Sequence, residues 1–412
     1  MPGPLAGIRV LDLTTVLLGP YCTQILAEYG AEVLKLEAPE GDVVRQIGPE
    51  RTAGMGGMFL TLNRGKRGAC LDLKRPEHAA RARDLVARAD VLVTNIRPAA
   101  MARLGLDAAS LRAADPRLIH AAIVGFGQAG PYGPLPAYDD LIQGLAALPH
   151  LTQRQGSETP RYTPLALADR VTGLHTLAAV LAALVERGRT GQGQEVEVPM
   201  FEVMTSLVLG DHLTGLTYDP PEDGGGYARL LSRDRRPYAT KDGHICAVIY
   251  NDAQWRRFFT AIGQPGRLDN DPRMANHTTR SQHIDAIYAE LGEILATRTT
   301  AEWLQVLGRA DVPCAPAHTL DSLRADPHLN AVGFFQEEDH PTEGKLVRMA
   351  APVRFSAHGE MRPAPTRRLG EDGPAILREA GLEPSRIAAL LESGAMVVPA
   401  GVGPPVPETP KA

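Results

Sequence analysis

Cysteine is scarce in this chain and poorly placed for metal. Only Cys22, Cys70, Cys246 and Cys314 occur among 412 residues. No two of them form a CxxC pair, so no metal site is expected, and reduced thiols of a cytoplasmic protein are the simplest reading. No apolar run reaches eighteen residues, which leaves no membrane span to expect. The opening stretch, MPGPLAGIRVLDL, lacks the basic leader and apolar core of a secretory signal. Basic residues form no dominant block: 43 Lys and Arg are mixed with 48 Asp and Glu for a net charge of -5. That balance argues against nucleic acid as a partner. The common nucleotide signatures are missing too, with no GxGxxG after the first apparent strand and no Walker A lysine.

What is present is core-forming material, 44% of the residues being hydrophobic, and a length that suits two domains. Residues 8–13 (IRVLDL), 31–36 (AEVLKL), 90–94 (DVLVT), 118–124 (LIHAAIV) and 195–200 (EVEVPM) read as strands. Helical stretches over 21–29, 77–89 and 104–114 lie between the first four. Strand, crossover helix and strand is the unit that builds a parallel sheet. Gly19-Pro20 reads as a break before the first helix, and GMGGM (54–58) as a flexible loop. Residues 125–140, GFGQAGPYGPLPAYDD, hold too much Gly and Pro for regular structure. They form either a plain connector or a loop whose N–H groups approach a ligand. Residues 219–329 predict a second, smaller α/β domain, with a triple glycine at 224–226 that reads as linker or flap. Short strands follow over 333–355 and helices over 374–391. The proline-rich end, 399–412, reads as a disordered tail.

Two stretches carry candidate chemistry. NRGKRGACLDLKRPE (63–77) gathers Arg64, Lys66, Arg67, Lys74 and Arg75. It is either a solvated face or a clamp for phosphate oxygens. In the second, 162–187, Val171, Leu174, Ala178, Leu181 and Val185 share one face of a long helix. Asp169, Thr172, Gly173, Thr176 and Val180 share another, small-sided one. Glycine inside a helix costs about 1 kcal/mol relative to alanine, so close packing on backbone or ligand is a reason to keep Gly173. Asp169 opens that buried helix, either as its N-cap or as a reactive group on an approachable face. Loop residues Arg45, Arg51, Arg229 and Arg233 are either binders of a carboxylate or solvated.

Six pieces in order then carry a resemblance: residues 11–42, NRGKRGACLDLK (63–74), 89–105, GFGQAGPYG (125–133), ALADRVTG (166–173) and RTGQGQEVEV (189–198). Together they resemble the family III CoA-transferases, the group of formyl-CoA transferase and carnitine CoA-transferase. The resemblance implies a Rossmann-like large domain over 1–200 and 330–398 and a small α/β domain over 219–329. It also implies an interlocked homodimer. CoA and acyl-CoA would be substrates rather than a permanently bound cofactor. Asp169 would be the covalent nucleophile, passing through an anhydride and an aspartyl-CoA thioester. Thr15, Val16 and Leu17 would meet the thiol arm of CoA, and Lys74, Asn95, Ile96 and Arg103 would line its nucleotide and pantetheine path. Tyr138 and Met200 match active-site positions, and Gly224, Gly225 and Gly226 resemble a glycine loop that covers the aspartate. Thr15 and Leu17 stand where formyl-CoA transferase has histidine and glutamine, which makes oxalate and formate poorer guesses. The related racemases carry a histidine where this chain has Tyr138. An acyl-CoA racemase or epimerase and a non-catalytic acyl-CoA binding protein are the alternatives.

Overall fold

The computed structural model describes residues 3–400; the segment expected to be a disordered tail falls, from 401 on, outside the described residues. The chain divides into two compact units. The first takes in the residues up to Leu145, Pro164–Thr205 and those from Asn330 onward. The second takes in Ala146–Thr163 and Ser206–Leu329.

The first unit is built on six strands: β1 (Arg9–Leu13), β2 (Glu32–Glu37), β3 (Lys66–Cys70), β4 (Val91–Thr94), β5 (Ile119–Val124) and β6 (Glu195–Pro199). They form one parallel sheet in the order β3-β2-β1-β4-β5-β6. This is the doubly wound Rossmann order, reached without the glycine fingerprint that often accompanies it. Val10, Leu11, Val91, Leu92, Val93 and Ile119 are almost wholly buried, as central parallel strands covered on both faces require. Sequence patterning misses β3, because KRGAC opens on two cations. Lys66 nevertheless lies inside, its ammonium 3.0 Å from Asp12 of β1. A buried charge of this kind is tolerated only when paired, and hydropathy does not see the pairing.

Two other expectations are corrected. Gly19-Pro20 does not break the chain but starts the first helix, Leu18–Glu28. Pro20 sits in the first turn, where no intrahelical N–H bond is lost. A Cβ on Gly19 would lie 2.3 Å from Thr14, so glycine is what lets the helix begin so close to the strand. GMGGM is likewise only partly loop, since Gly56 is the N-cap of the helix Gly57–Leu62. The helical region expected over 104–114 is two helices, Pro98–Leu104 and Ala108–Ala114, separated where Gly105 takes a left-handed φ of 62°.

The central helix, Leu167–Thr190, packs along the first helix with its small-sided face. Asp169, Thr172, Gly173, Thr176 and Val180 are buried, whereas Leu174 and Val185 are 45% and 63% exposed. Among the described residues it is the one helix long and apolar enough to cross a membrane. The run is interrupted near each end, by Asp169 and Arg170 and by Glu186, Arg187 and Arg189. Arg187 is buried against Asp90, 3.0 Å away.

The second unit holds the antiparallel strands β7 (Tyr238–Ala239), β8 (His244–Ala247) and β9 (Cys314–Pro316). Its helices Asp252–Ala261, Ile284–Leu295 and Thr300–Arg309 enclose Trp255, Phe258, Phe259, Trp303 and Leu307. Capping boxes at Asn251/Gln254 and Thr299/Glu302 set two helix starts. A hairpin of β10 (Phe335–His340) and β11 (Gly344–Met349) returns the chain to the first unit.

Candidate active site

The order of the strands locates a crevice before any side chain is considered. β1 lies between β2 and β4, so the chain leaves β1 toward one side of the sheet and later returns on the other. Loops leaving the carboxyl ends of β1 and β4 diverge, and ligands of open α/β sheets bind at such a switch point. Thr15, Val16 and Leu17 follow β1, and Asn95 and Ile96 follow β4. The two loops are laced together. Asn95 Oδ1 accepts the Thr15 N–H at 3.0 Å, and its amide donates to the Thr15 carbonyl at 2.9 Å. Met200 is buried directly after β6, and the next residue bonds Gly125, just after β5. Tyr138, farther along that loop, is 73% exposed. Lys74 lies beyond β3 and Arg103 in the last turn of Pro98–Leu104, both exposed. Gly224, Gly225 and Gly226 belong to the second unit. There Gly225 and Gly226 take φ of 74° and 103°, which L side chains resist. They are tied down: Gly225 N–H donates to Asp223 at 2.8 Å, and Gly226 N–H to the His212 carbonyl at 2.8 Å.

Asp169 is not the cap of its helix. The N-cap is Ala166, with no side-chain bond, and Asp169 stands three residues on. The backbone N–H of Asp169, one of the orphan donors of the first turn, is taken instead by Asp139 Oδ1 at 3.0 Å. The capping carboxylate therefore comes from thirty residues upstream, beside Tyr138. Among the described residues no hydrogen bond reaches the carboxylate oxygens of Asp169. Burial lifts its pKa from the ordinary 3.8 to about 7, and the negative charge of Asp139 adds to the rise against a smaller opposing pull from Arg170. A carboxylate so poorly solvated is a stronger nucleophile than one in water, once ionised. Gly173, one turn on, faces the first helix: a Cβ there would lie 2.6 Å from the Leu18 carbonyl oxygen. What approaches the small-sided face closely is thus the backbone that leads out of the turn after β1.

The basic cluster is mostly not a clamp. Arg64 is buried in an ion pair with Glu28, and Lys66 with Asp12. Arg67 pairs with Glu32 and Glu379. Lys74 and Arg75 alone of the five remain largely solvent-facing, at 3.8 Å from Glu40 and 3.4 Å from Asp72. Arg45 is committed as well, to buried Glu37. Arg51 bonds the carbonyls of Glu343 and Lys345, and Arg229 donates to the Tyr288 hydroxyl. No spacing rule connects Asp139, at the end of the 125–140 loop, to Asp169. Lys35 and Asp42 look like ordinary surface charges in AEVLKLEAPEGD, yet they lie buried beneath the turn after β1.

Comparison with known proteins gives the family. Residues 5–373 match the model of CoA-transferase family III. Succinate–glutarate CoA-transferase of Agrobacterium fabrum is 32% identical over 388 residues, 91% of this chain and 95% of that protein. Formyl-CoA:oxalate CoA-transferase of Escherichia coli O6:H1 is 31% identical, over 96% of this chain and all of that one. A solved CAIB/BAIF family protein from Brucella suis superposes with a TM-score of 0.76 at 32% identity, covering 92% of this chain and 100% of its own. The match takes in the parallel sheet, the loops at its switch point and the helix that bears Asp169: the chain belongs to CoA-transferase family III, and it is a CoA-transferase.

Proposed function

We propose that this enzyme moves CoA from an acyl-CoA donor to a carboxylic acid acceptor through covalent intermediates on Asp169. One observation carries the reading: a buried carboxylate, its oxygens without a hydrogen bond from any described residue, on a helix packed against the backbone that leads out of the turn after β1. The Asp169 carboxylate attacks the donor thioester carbonyl. The C–S bond breaks, leaving an acyl-aspartyl anhydride and CoA thiolate. The thiolate attacks the aspartyl carbonyl, and the donor acid departs as carboxylate, giving aspartyl-CoA thioester. The acceptor carboxylate attacks that thioester and frees the thiolate again. Attack of thiolate on the acceptor's acyl carbon yields the new acyl-CoA and restores Asp169. Each step exchanges one nucleophile for one leaving group, so no proton balance and no metal are required. Thr15, Val16 and Leu17 would face the thiol arm, and Lys74, Asn95, Ile96 and Arg103 the rest of CoA. Tyr138 and Met200 would border the acyl group. Treating the enzyme with donor acyl-CoA and then hydroxylamine tests the reading: a hydroxamate at Asp169, found by peptide mass spectrometry, is expected. A label elsewhere would remove Asp169 from the covalent role.

The nucleophile must be ionised, and with a pKa near 7 it is only about half so at neutral pH. We expect kcat/KM to rise with pH through about 7 and level off above it. Asp139→Asn keeps an oxygen for the Asp169 N–H but removes the neighbouring charge, so the rising limb moves to lower pH. The move is partial, because burial is the larger cause. A profile identical to wild type would show that the Asp139 charge does not act on the nucleophile.

Thr15 and Leu17 supply less polarity near the thioester than histidine and glutamine do. A branched or unsaturated acid of four to six carbons fits this partly apolar setting, with a mesaconate- or succinate-like dicarboxylate as one form. The similarity to a succinate–glutarate CoA-transferase supports the dicarboxylate. A pocket distinguishes one methylene by only about 1–3 kcal/mol, so several acids should serve. A mass-spectrometric screen of donors against acceptors checks this, and a thousandfold preference for formyl-CoA and oxalate would overturn it. The apolar face of the central helix, with Leu174 and Val185 exposed in the single chain, supports a homodimer. Sedimentation at low micromolar concentration is expected to give twice the 44.2 kDa chain mass, and a fully active monomer would refute it. The cytoplasm, where CoA thioesters are made and used, is the proposed location. A racemase reading loses support at Tyr138, which replaces the expected histidine. Absence of α-proton exchange in deuterated water is the corresponding outcome.

A further inference from the structure

We propose that Asp42, with Lys35, is a positioning residue for the transfer reaction, holding the turn after β1 in a conformation the turn does not favour by itself. This rests on the reading of residues 15–17 as the place where the thiol arm of CoA lies. Val16 has a φ of +69°. A β-branched residue in the left-handed region is a steric outlier, and such backbone persists only where the surroundings over-determine it.

The surroundings do so residue by residue. The Thr14 N–H donates to Asp12 at 2.9 Å, and the Thr14 carbonyl accepts from the Lys35 ammonium at 2.8 Å. Thr15 is bracketed by Asn95 on both its N–H and its carbonyl. The Val16 N–H, at the strained residue itself, donates to both carboxylate oxygens of Asp42 at 3.0 and 3.2 Å. Asp42 and Lys35 are each 2% exposed and are 3.1 Å apart. Asp42 is anchored in turn, for its own N–H donates to Glu37 at 3.0 Å, and Glu37 is gripped by Arg45 at 2.7 and 2.8 Å. A line of buried charge, Arg45 to Glu37 to Asp42, therefore ends on one strained peptide at the switch point of the sheet. A buried ion pair is weak evidence for stability, since apolar residues of the same volume often do as well. Its polar end at Val16 has no apolar substitute, because only an acceptor holds that N–H.

The test measures the turn and the reaction separately, in the whole protein. Amide hydrogen exchange of the peptide spanning residues 14–17 reports the turn. Steady-state transfer with the best acyl-CoA donor of the screen reports the reaction. Asp42→Ala is expected to speed exchange at least tenfold and to lower kcat/KM about a hundredfold, mostly in kcat. Adding Val16→Gly, which takes a positive φ without a Cβ penalty, is expected to recover at least tenfold. If Asp42→Ala alone leaves Lys35 unpaired and fails to fold, Lys35→Met/Asp42→Ala removes both charges together, with the same loss and the same recovery expected on adding Val16→Gly. Folded Asp42→Ala or Lys35→Met/Asp42→Ala protein with wild-type kinetics overturns the proposal, whatever its exchange rate. So does a loss that Val16→Gly does not relieve, since the acceptor would then matter for something other than backbone strain. Full transfer by Asp169→Asn would instead defeat the covalent reading and leave these outcomes unchanged.

Discussion

Asp169→Asn should be a folded, CoA-binding protein that transfers no CoA, and it should be more stable than wild type at pH 8. The loss follows from chemistry: an amide oxygen does not displace a thiolate to form the anhydride. The gain follows from burial. The ordinary carboxyl value of 3.8 describes the unfolded chain, while the folded group titrates near 7. Between those values the native state binds more protons than the unfolded one, so stability falls as pH rises from about 4 to about 7. By pH 8 the ionised group has cost on the order of 4 kcal/mol. Asparagine never ionises, and the helix loses no cap, because Asp139 rather than residue 169 does the capping. Thermal unfolding should therefore show an advantage for the variant that is small at pH 4 and several degrees at pH 8. Calorimetric titration with CoA should give near wild-type affinity. Full transfer by the purified variant, with deamidation excluded by mass, would return the whole segment to a packing role. A stability difference that does not change with pH would show that Asp169 is ionised without penalty.

Two further substitutions in the same helix should move stability in opposite directions. Alanine is the better helix former by about 1 kcal/mol at both Gly173 and Gly188 if nothing intervenes. Around Gly188 nothing lies within 4 Å of an added Cβ, so Gly188→Ala should stabilise by about 0.5–1 kcal/mol. At Gly173 the added methyl would meet the Leu18 carbonyl oxygen at 2.6 Å and Tyr21 at 3.3 Å. The nearest obstacle is backbone and cannot rotate away, so the first helix must shift. Gly173→Ala should then cost about 1–3 kcal/mol, the usual penalty of overpacking. Leu18 directly follows the turn at residues 15–17, so kcat/KM should fall as well. Denaturant unfolding of both variants at one protein concentration checks the signs. A stabilised, fully active Gly173→Ala would mean that the two helices have room to spare.

The parts legible in the sequence are those that depend on local pattern. Strands β1, β2, β4, β5 and β6 appear as apolar or alternating runs within a residue or so of their observed limits. β3 was illegible because Lys66 is neutralised by Asp12, a residue 54 positions away. Gly19-Pro20 reads as a break in the sequence, yet the same pair serves equally well in the first turn of a helix. In the 63–77 stretch, charge density leaves a solvated face and a clamp equally open, but three of its five cations are hydrogen-bonded to carboxylates and the other two lie within ion-pair distance of one. Whether a cation is free is a property of its neighbours.

By itself, then, the order of residues determined the alternation of strand and helix, the long helix and its small-sided face, and the position of Asp169 in its first turn. Those follow from side-chain periodicity, which is local. Tertiary structure alone decided that Asp139 caps that helix and helps raise the Asp169 pKa. It also decided that Leu18 backbone fills the space beside Gly173, and that Asp42 and Lys35 hold Val16 at a positive φ. The physical reason is common to all three. Electrostatic and steric forces act over a few ångströms of space, and the parallel sheet brings together residues that are tens of positions apart along the chain.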